Sequence, residues 1–416
     1  MNENHTQTPK KRSGWIGFFS ACLLLLLITL IFGFSWWHSD ADLVDIRKKA
    51  AANNIPVTWA EFGLKKSEPD RLARWKRIAA LSNKLPDYQA MNMNVGNNLE
   101  FVLFSPIPEE MRAHHATLDE TIWTELLNEL ELFGDQPLCF HETISFSTPT
   151  PEIGEYRALL RLLQERSVLA DVPEALRLCS VQLALCRSVD NNSLMTHHMK
   201  KELISIALGS VSHRLADYKT LDSHLAENIT LTTELYSQEL IKGITGNFLC
   251  VLQHISKREP YMDNTWYMPY IIRVGRHELL SAEIESLVHL RDHDQLTRLA
   301  WQRKQMTTIM ARKKSIPSSG SFLVGIVMPN LDYVVEKTYE TQLKGRLLAA
   351  ELKNQPWPQD IFDPTGTPLR PVKRDGQIIG AYTVGSNGVD DGGDKKLDRY
   401  FPLYGPLELP VAPTAP

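Results

Sequence analysis

The chain has 416 residues, of which 43% are hydrophobic and 23% are charged. This composition is ordinary for folded globular protein and excludes a largely disordered chain. The formal net charge of -4 gives no electrostatic reason to expect nucleic acid as a partner. None of the five cysteines belongs to a CxxC pair, so we expect buried thiols instead of a disulfide-stapled module.

An uncharged, apolar segment runs from Ser13 to Trp37. A helix needs ~20 such residues to cross the hydrocarbon core of a membrane. Basic residues at 10–12 precede the segment and Asp40 follows it, which favours a cytoplasmic N-terminus. We therefore predict a cytoplasmic tail (1–12), a transmembrane helix (13–37) and an extracytoplasmic remainder. A cleaved signal peptide is the alternative, but the segment is long for one and no small-x-small site follows it.

The next stretch, residues 38–110, is predicted to hold membrane-proximal helices and a linker. Asp42 to Ala52 is charged and alanine-rich, as in a short helix. Thr58 to Glu61 matches the S/T-x-x-E capping box, which predicts another helix start. Arg71 to Leu85 has helical spacing of its apolar residues, and the Asn-rich part after it indicates a connection.

Residues 111–315 are predicted to form a domain of several helices. Asp119 to Phe133 is amphipathic and ends at Gly134, and Asp171 to Glu174 is typical of a helix N-terminus with proline in the first turn. Thr230 to Ile255 is predicted as one helix, in which two glycines allow close approach of a neighbour. Glu278 to Lys314 is predicted as one long or two abutting helices.

Residues 316–416 are predicted to form a small α+β unit with a Pro-rich tail. Phe322 to Met328 is an apolar, strand-like run, and Asn330 to Lys353 is predicted as a helix. Leu369 to Lys373 and Gln377 to Val384 flank an Asp-Gly pair, which is a strong signal for a β-hairpin. The predicted fold class is therefore mainly α, with an N-terminal transmembrane helix, a multi-helix middle domain and this C-terminal unit.

The only local group of side chains that suggests a ligand is an acidic, glycine-rich loop. Asp390, Asp391 and Asp394 are the candidate metal ligands, and Asn387 and Asp398 offer further oxygens. Closely spaced hard oxygens are what calcium requires. The pattern is not an EF-hand, and a solvated turn is the interpretation that the residues alone favour.

No motif identifies an enzyme. The adjacent pairs His114-His115 and His197-His198 point in different directions on a helix and make poor metal-ligand pairs. The chain contains no GxxxxGK[ST] and no GxGxxG sequence, and no cofactor is expected apart from the calcium alternative. These observations favour a non-enzymatic protein, without excluding a site assembled from distant residues.

The last ~90 residues resemble the head of the major pseudopilin of type II secretion systems. The similarity lies in Asp363 to Pro368 (a DP-x-G-x-P segment), in the hairpin after it, and in the loop from Tyr382 to Gly393. In that family the loop after the hairpin binds calcium, so the resemblance implies calcium at Asp390, Asp391 and Asp394. The whole chain is similar to a large set of uncharacterised single-pass bacterial envelope proteins.

These observations lead to two functional hypotheses. The first is a protein-interaction or structural component of the bacterial envelope, anchored in the inner membrane and linked in its sharper form to a secretion or pilus-like system. The alternative is a membrane-tethered enzyme or small-ligand-binding module with its site in the helical middle domain.

Overall fold

The computed structural model describes residues 43–85, 109–144, 151–219, 223–257, 268–293, 319–385, 387–394 and 397–403, together with residues 297, 298, 301 and 304. The predicted cytoplasmic tail and transmembrane helix at 1–37 lie outside the described residues. None of the described helices is long and apolar enough to cross a membrane.

The described residues are mainly helical, as predicted. The helices are α1 (residues 43–52), α2 (Trp59–Phe62), α3 (Pro69–Ser82), α4 (Glu109–Ala116), α5 (Glu120–Phe133), α6 (Pro151–Leu169), α7 (Val172–Ser188), α8 (Leu194–His213), α9 (Leu215–Tyr218), α10 (Ser223–Gln238), α11 (Leu240–Lys257), α12 (Met268–Asp292) and α13 (Ser319–Leu352).

Several helix ends lie where their sequence signals place them. The side chain of Asp119 accepts hydrogen bonds from two backbone N–H groups in the first turn of α5, and Gly134 ends that helix with a positive φ. The side chain of Asp171 accepts the N–H of Glu174 at the start of α7. These caps confirm the predicted boundaries, because each one satisfies backbone groups that the helix itself leaves unpaired.

A three-stranded antiparallel sheet with the order β1-β2-β3 follows α13. The strands are β1 (Arg370–Arg374), β2 (Gln377–Thr383) and β3 (Arg399–Pro402). Between β1 and β2 the two turn residues Asp375 and Gly376 both have positive φ, at 52° and 79°. Positive φ at both positions is the geometry of the two-residue turn that Asp-Gly favours, so the predicted hairpin is confirmed.

Helix α13 lies within the core that the middle helices form. Leu343, Leu347 and Leu348 are completely buried, in the same apolar cluster as the buried residues of α6, α7 and α10. A Cβ atom on Gly345 would lie 2.4 Å from the hydroxyl oxygen of Thr233, so α13 and α10 approach as closely as glycine allows. The residues on the two sides of the predicted boundary at 316 therefore share one core.

Two predictions about individual elements are wrong. Phe322 to Met328 is part of α13 and not a strand. A short β-branched run is compatible with either structure, and here it continues directly into a long helix. The predicted helix from Thr230 to Ile255 is interrupted at Glu239, where α10 ends and α11 begins. No glycine or proline marks this break.

The four described cysteines confirm the expectation of buried, reduced thiols, and Cys22 lies outside the described residues. Cys139, Cys179, Cys186 and Cys250 are all free and buried. Burial raises the pKa of the Cys179 and Cys186 thiols to about 12. A thiol that stays protonated is a poor nucleophile, so these two side chains serve packing.

Candidate functional site

The acidic loop, defined here as residues 384–398, connects β2 to β3. Gly385, Gly388, Gly392 and Gly393 all have positive φ, which lets the backbone turn repeatedly within a short distance. At Gly385 a Cβ atom would lie 2.2 Å from the carbonyl oxygen of Leu397, so a larger residue would force the two ends of the loop apart.

Asp390 is held by an arginine and by the loop itself. Its Oδ2 lies 2.7 Å from Nε of Arg370 in β1. Its Oδ1 accepts the N–H of Gly392 at 3.0 Å and the hydroxyl of Tyr382 at 3.2 Å. The Gly392 hydrogen bond and the Arg370 charge hold the pKa of Asp390 below its ordinary value. Its charge is therefore already compensated within the protein.

The other two predicted ligands are used differently. Oδ2 of Asp391 accepts the side-chain amide of Asn387 at 2.6 Å, on the exposed side of the loop. The carbonyl oxygen of Asp394 accepts the N–H groups of Leu397 and Asp398, which forms a tight turn before β3. Asp391 thus supports the first half of the loop, and the Asp394 backbone supports the second half.

Asp398 is the carboxylate that the structure places inside the loop. It is 1% exposed, and its Oδ2 accepts the N–H of Gly393 at 2.7 Å. Its Oδ1 is buried and has no hydrogen-bond partner. Burial raises the pKa of Asp398, and the backbone N–H groups of Gly393 and Asp391 partly oppose that shift. The negative charges of Asp391 and Asp390 raise the pKa further. Asp398 could be named from the sequence as a residue that offers oxygens in the loop. Its burial distinguishes it from the other carboxylates, and that burial depends on the tertiary fold.

The loop provides an incomplete donor set for calcium. In the described part of the chain, no three His, Cys, Asp or Glu side chains lie together in a way that could hold a metal ion. Asp390 faces the guanidinium of Arg370, whereas the unpartnered oxygen belongs to Asp398. Calcium would require 6–8 oxygen ligands, as is general for this ion, so backbone carbonyls and water would have to supply most of them. Calcium binding stays a prediction.

A buried aspartate connects the loop to the segment after α13. Asp360 is 1% exposed and accepts hydrogen bonds from the backbone N–H groups of Phe362 and Val384 and from the hydroxyl of Thr383. Three donors on one carboxylate hold it in a single orientation. Asp360 therefore fixes the point at which β2 enters the acidic loop.

The Asp-Pro motif contributes to the same arrangement. Asp363 accepts the N–H and the hydroxyl of Thr365 and the Nη2 of Arg370. The Thr365 hydroxyl and then the Arg370 guanidinium hold the pKa of Asp363 far below its ordinary value. Arg370 thereby joins the Asp-Pro segment to Asp390 of the loop.

In the helical part, His197 forms a buried junction between α8 and α13. Its Nε2 lies 2.7 Å from the hydroxyl oxygen of Thr338, and its ring stacks on Tyr236 at 4.2 Å between centroids. Because the Thr338 hydroxyl donates to the carbonyl of Val334, it accepts the proton on Nε2. Nδ1 then accepts the side-chain amide of Asn191. Burial lowers the pKa of His197 to about 3, so the ring is neutral and serves as a structural connector.

Lys200 is fully buried one turn further along α8. Its Nζ donates to Oε2 of Glu239 at 2.7 Å and to the carbonyl oxygen of Val189 at 2.9 Å. Lys242 pairs with Asp190 at 2.6 Å on the other side of the same connection. These bonds hold the buried segment between α7 and α8 in place, and they leave the Lys200 amine engaged in structure.

Glu283 on α12 differs from these paired groups. It is 2% exposed, and its Oε1 accepts the side-chain amide of Asn247 on α11 at 2.9 Å. Its Oε2 is buried without a hydrogen-bond partner. Burial raises the pKa of Glu283 to about 8, so the carboxyl is largely protonated at neutral pH. A perturbed carboxyl between two helices is the feature of the helical part closest to a chemical site.

Of the buried polar residues of the helical part, the candidates named from the sequence include only His115 and His197, each as half of an adjacent pair. Lys200 lies three positions before Leu203, which is on the apolar face of α8, so a charged residue on that face was an available signal. His115 was noted only as half of an adjacent pair, but it is buried and contacts Glu165 at 3.0 Å. Glu283 carries no comparable local signal.

No protein-family model, curated protein or solved structure matches this chain. The candidate sites therefore stand on their own geometry: an acidic loop with one unpartnered carboxylate oxygen, and a protonated glutamate between α11 and α12.

Proposed function

We propose that this chain is a membrane-anchored component of the bacterial envelope whose extracytoplasmic domain makes protein contacts. The observation that carries the proposal is the docking of α1 directly after the predicted span. Ile46 and Ala50 are completely buried, and Lys49 pairs with Glu285 of α12 at 3.3 Å. The folded domain thus begins within a few residues of Trp37, as suits a protein held close to the membrane.

The sharper form of the proposal is a link to a secretion or pilus-like apparatus. It is supported by a long helix leading into a small antiparallel sheet, which is the order of elements that the resemblance implies. Arg399 in β3 pairs with Glu340 at 3.0 Å and with Glu336 at 3.1 Å, so two ion pairs hold the sheet against α13. The acidic loop exposes the apolar side chains of Val389 and Leu397 beyond this sheet, where a partner can reach them.

A crosslinked pull-down of the tagged full-length protein from native membranes tests this proposal. Deleting residues 316–416 would remove the buried leucines of α13 and unfold the rest, so the test variant is Val389→Asp at an exposed position. The matched control is Leu132→Asp, on the exposed face of α5. Secretion or pilus components that are enriched with the wild type and the control, but lost with Val389→Asp, would support the proposal. The absence of any reproducible protein partner would contradict it.

The alternative is a membrane-tethered enzyme or ligand-binding module, and Glu283 is the observation that favours it. Its unpartnered oxygen and its raised pKa are properties that catalytic and binding carboxyls share. A small molecule that raises the melting temperature of the wild type but not of Glu283→Gln would favour this alternative.

A further inference from the structure

The guanidinium of Arg370 in β1 lies between carboxylates from two separate segments. Its Nη2 is 2.7 Å from Oδ2 of Asp363, and its Nε is 2.7 Å from Oδ2 of Asp390. Its Nη1 is 3.5 Å from Oδ2 of Asp360, which is longer than an ordinary hydrogen bond but within the range of attraction between charges. Asp360 and Asp363 precede β1, whereas Asp390 belongs to the acidic loop. One positive charge therefore serves carboxylates from both segments.

The register of the strands explains how Arg370 reaches the loop. Arg370 is paired with Tyr382 of β2, and Tyr382 is paired with Tyr400 of β3, so the three side chains form one row on the same face of the sheet. The loop lies over this row. The hydroxyl of Tyr382 donates to Oδ1 of Asp390 at 3.2 Å, and the hydroxyl of Tyr400 donates to the carbonyl oxygen of Gly393. The loop is thus attached to all three strands.

The carboxylates around Arg370 need a positive charge close to them. Asp360 is 1% exposed and Asp363 is 4% exposed. A buried carboxylate that loses its cationic partner is left with an uncompensated charge, which destabilises the local fold. Asp390 brings a third negative charge from the loop, and the other two would repel it if Arg370 were neutral. The guanidinium therefore makes the closed position of the loop favourable.

Arg370 has the role at Asp390 that the resemblance assigns to calcium. Oδ2 of Asp390 contacts the guanidinium, and its Oδ1 accepts the N–H of Gly392 and the hydroxyl of Tyr382. A calcium ion at Asp390 would have to displace one of these contacts, and it would then lie next to the positive guanidinium. An arginine side chain stays protonated and is part of the chain, whereas a bound ion exchanges with the solvent. These contacts fit a permanent internal cation better than an exchangeable one.

We propose that Arg370 is the internal cation that closes the acidic loop over the sheet, so that closure requires no divalent cation. Calcium that binds at Asp398 or Asp391 would then bind to a loop that is already closed. The inference does not depend on the proposed function, because it concerns only contacts between the loop and the sheet.

Hydrogen exchange of the full-length protein in detergent tests this inference. The N–H groups of Gly392 and Gly393 are bonded to Asp390 and Asp398, so their protection reports the closed loop. In the wild type, we expect the same protection of residues 387–394 in chelator and in millimolar calcium. In Arg370→Gln, exchange in chelator should be several-fold faster, whereas the control Arg374→Gln, at an exposed position in the same strand, should match the wild type.

A second variant tests the same contact from the loop side. Asp390→Asn keeps an oxygen that can accept the N–H of Gly392 but removes the charge that Arg370 binds. It leaves the buried Asp360 and Asp363 paired with Arg370, so the fold should be retained even if Arg370→Gln does not fold. We expect several-fold faster exchange of the loop in Asp390→Asn, and no change in its control Asp375→Asn in the hairpin turn.

The results have two readings. Faster loop exchange in Asp390→Asn and in folded Arg370→Gln, with no effect of calcium on the loop of the wild type, would support closure by the arginine. A wild-type loop that exchanges rapidly in chelator and is protected by calcium would overturn it, because a divalent cation would then close the loop. Exchange in Asp390→Asn at the wild-type rate would overturn it as well, since the ion pair with Arg370 would then contribute nothing to closure.

Discussion

Glu283 links the stability of the fold to pH. An ordinary glutamate ionises near pH 4.5, whereas burial raises the pKa of Glu283 in the folded protein to about 8. The folded state therefore holds a proton that the unfolded state has lost between these values. The stabilising contribution is complete below pH 4.5 and is lost as the pH rises through 8. The difference between the two pKa values corresponds to a decrease of about 5 kcal/mol in the free energy of unfolding.

We therefore expect Glu283→Gln to reduce the loss of stability on the alkaline side. Glutamine keeps the hydrogen bond to Asn247 and carries no charge to bury. The free energy of unfolding of Glu283→Gln minus that of the wild type should be larger at pH 9 than at pH 5. Denaturant titration at both pH values measures this difference. Glu285→Gln is the control, because that side chain is 60% exposed on the same helix. Equal pH profiles for Glu283→Gln and the wild type would contradict the prediction.

Calcium binding by the acidic loop can be tested on its carboxylates. If calcium binds there, millimolar calcium should raise the melting temperature of the full-length protein, since a ligand stabilises the state that it binds. Asp398→Asn and Asp391→Ala should each abolish the increase, the first because it alters the buried oxygen that lacks a partner. Asp375→Asn, in the hairpin turn, is the control. The same melting temperature in calcium and in chelator would end the calcium hypothesis.

The elements with local signals could be predicted from the sequence, and those set by packing could not. The start of α7 at Asp171 and the Asp375–Gly376 turn follow from side chains that satisfy or shape their own backbone. The break at Glu239 has no such signal, and its side chain is used by Lys200 from another helix. The candidate residues of the loop could be named, but the pairing of Asp390 with Arg370 depends on how β1 aligns with β2.

The two glycines of α11 provide a prediction that concerns the contact between this helix and the segment that joins α7 to α8. The sequence suggested that they permit close approach, and a Cβ atom on Gly246 would lie 1.9 Å from the carbonyl oxygen of Asn192. We expect Gly246→Ala to destabilise the protein by about 1–3 kcal/mol or more, because the backbone must shift. Gly154→Ala is the control: nothing lies within 4 Å of its Cβ position in α6, so it should stabilise by about 0.5–1 kcal/mol. Chemical denaturation measures both, and equal effects would contradict the close contact.

For the whole molecule, the position of α13 predicts how the domain unfolds. Its buried leucines belong to the core of the middle helices, and so do the buried apolar residues of the sheet, so the described residues after 316 form no separate core. Leu347 is completely buried, and Leu347→Ala should lower the stability by about 2–5 kcal/mol through lost packing and the cavity left behind. Calorimetry should show a single unfolding transition, with equal calorimetric and van't Hoff enthalpies, and Leu347→Ala should shift this whole transition to lower temperature.

The control for this experiment is Leu132→Ala, since that side chain is 69% exposed on α5 and its truncation should change stability by less than about 0.5 kcal/mol. Two transitions, of which Leu347→Ala shifts only one, would mean that the middle helices and the C-terminal unit fold independently. A single transition would mean that any partner bound to the sheet stabilises the helical part as well, because a ligand of one part of a cooperative unit stabilises all of it. A partner that binds at the acidic loop would then stabilise, through α13, the helices that follow the predicted membrane anchor as well.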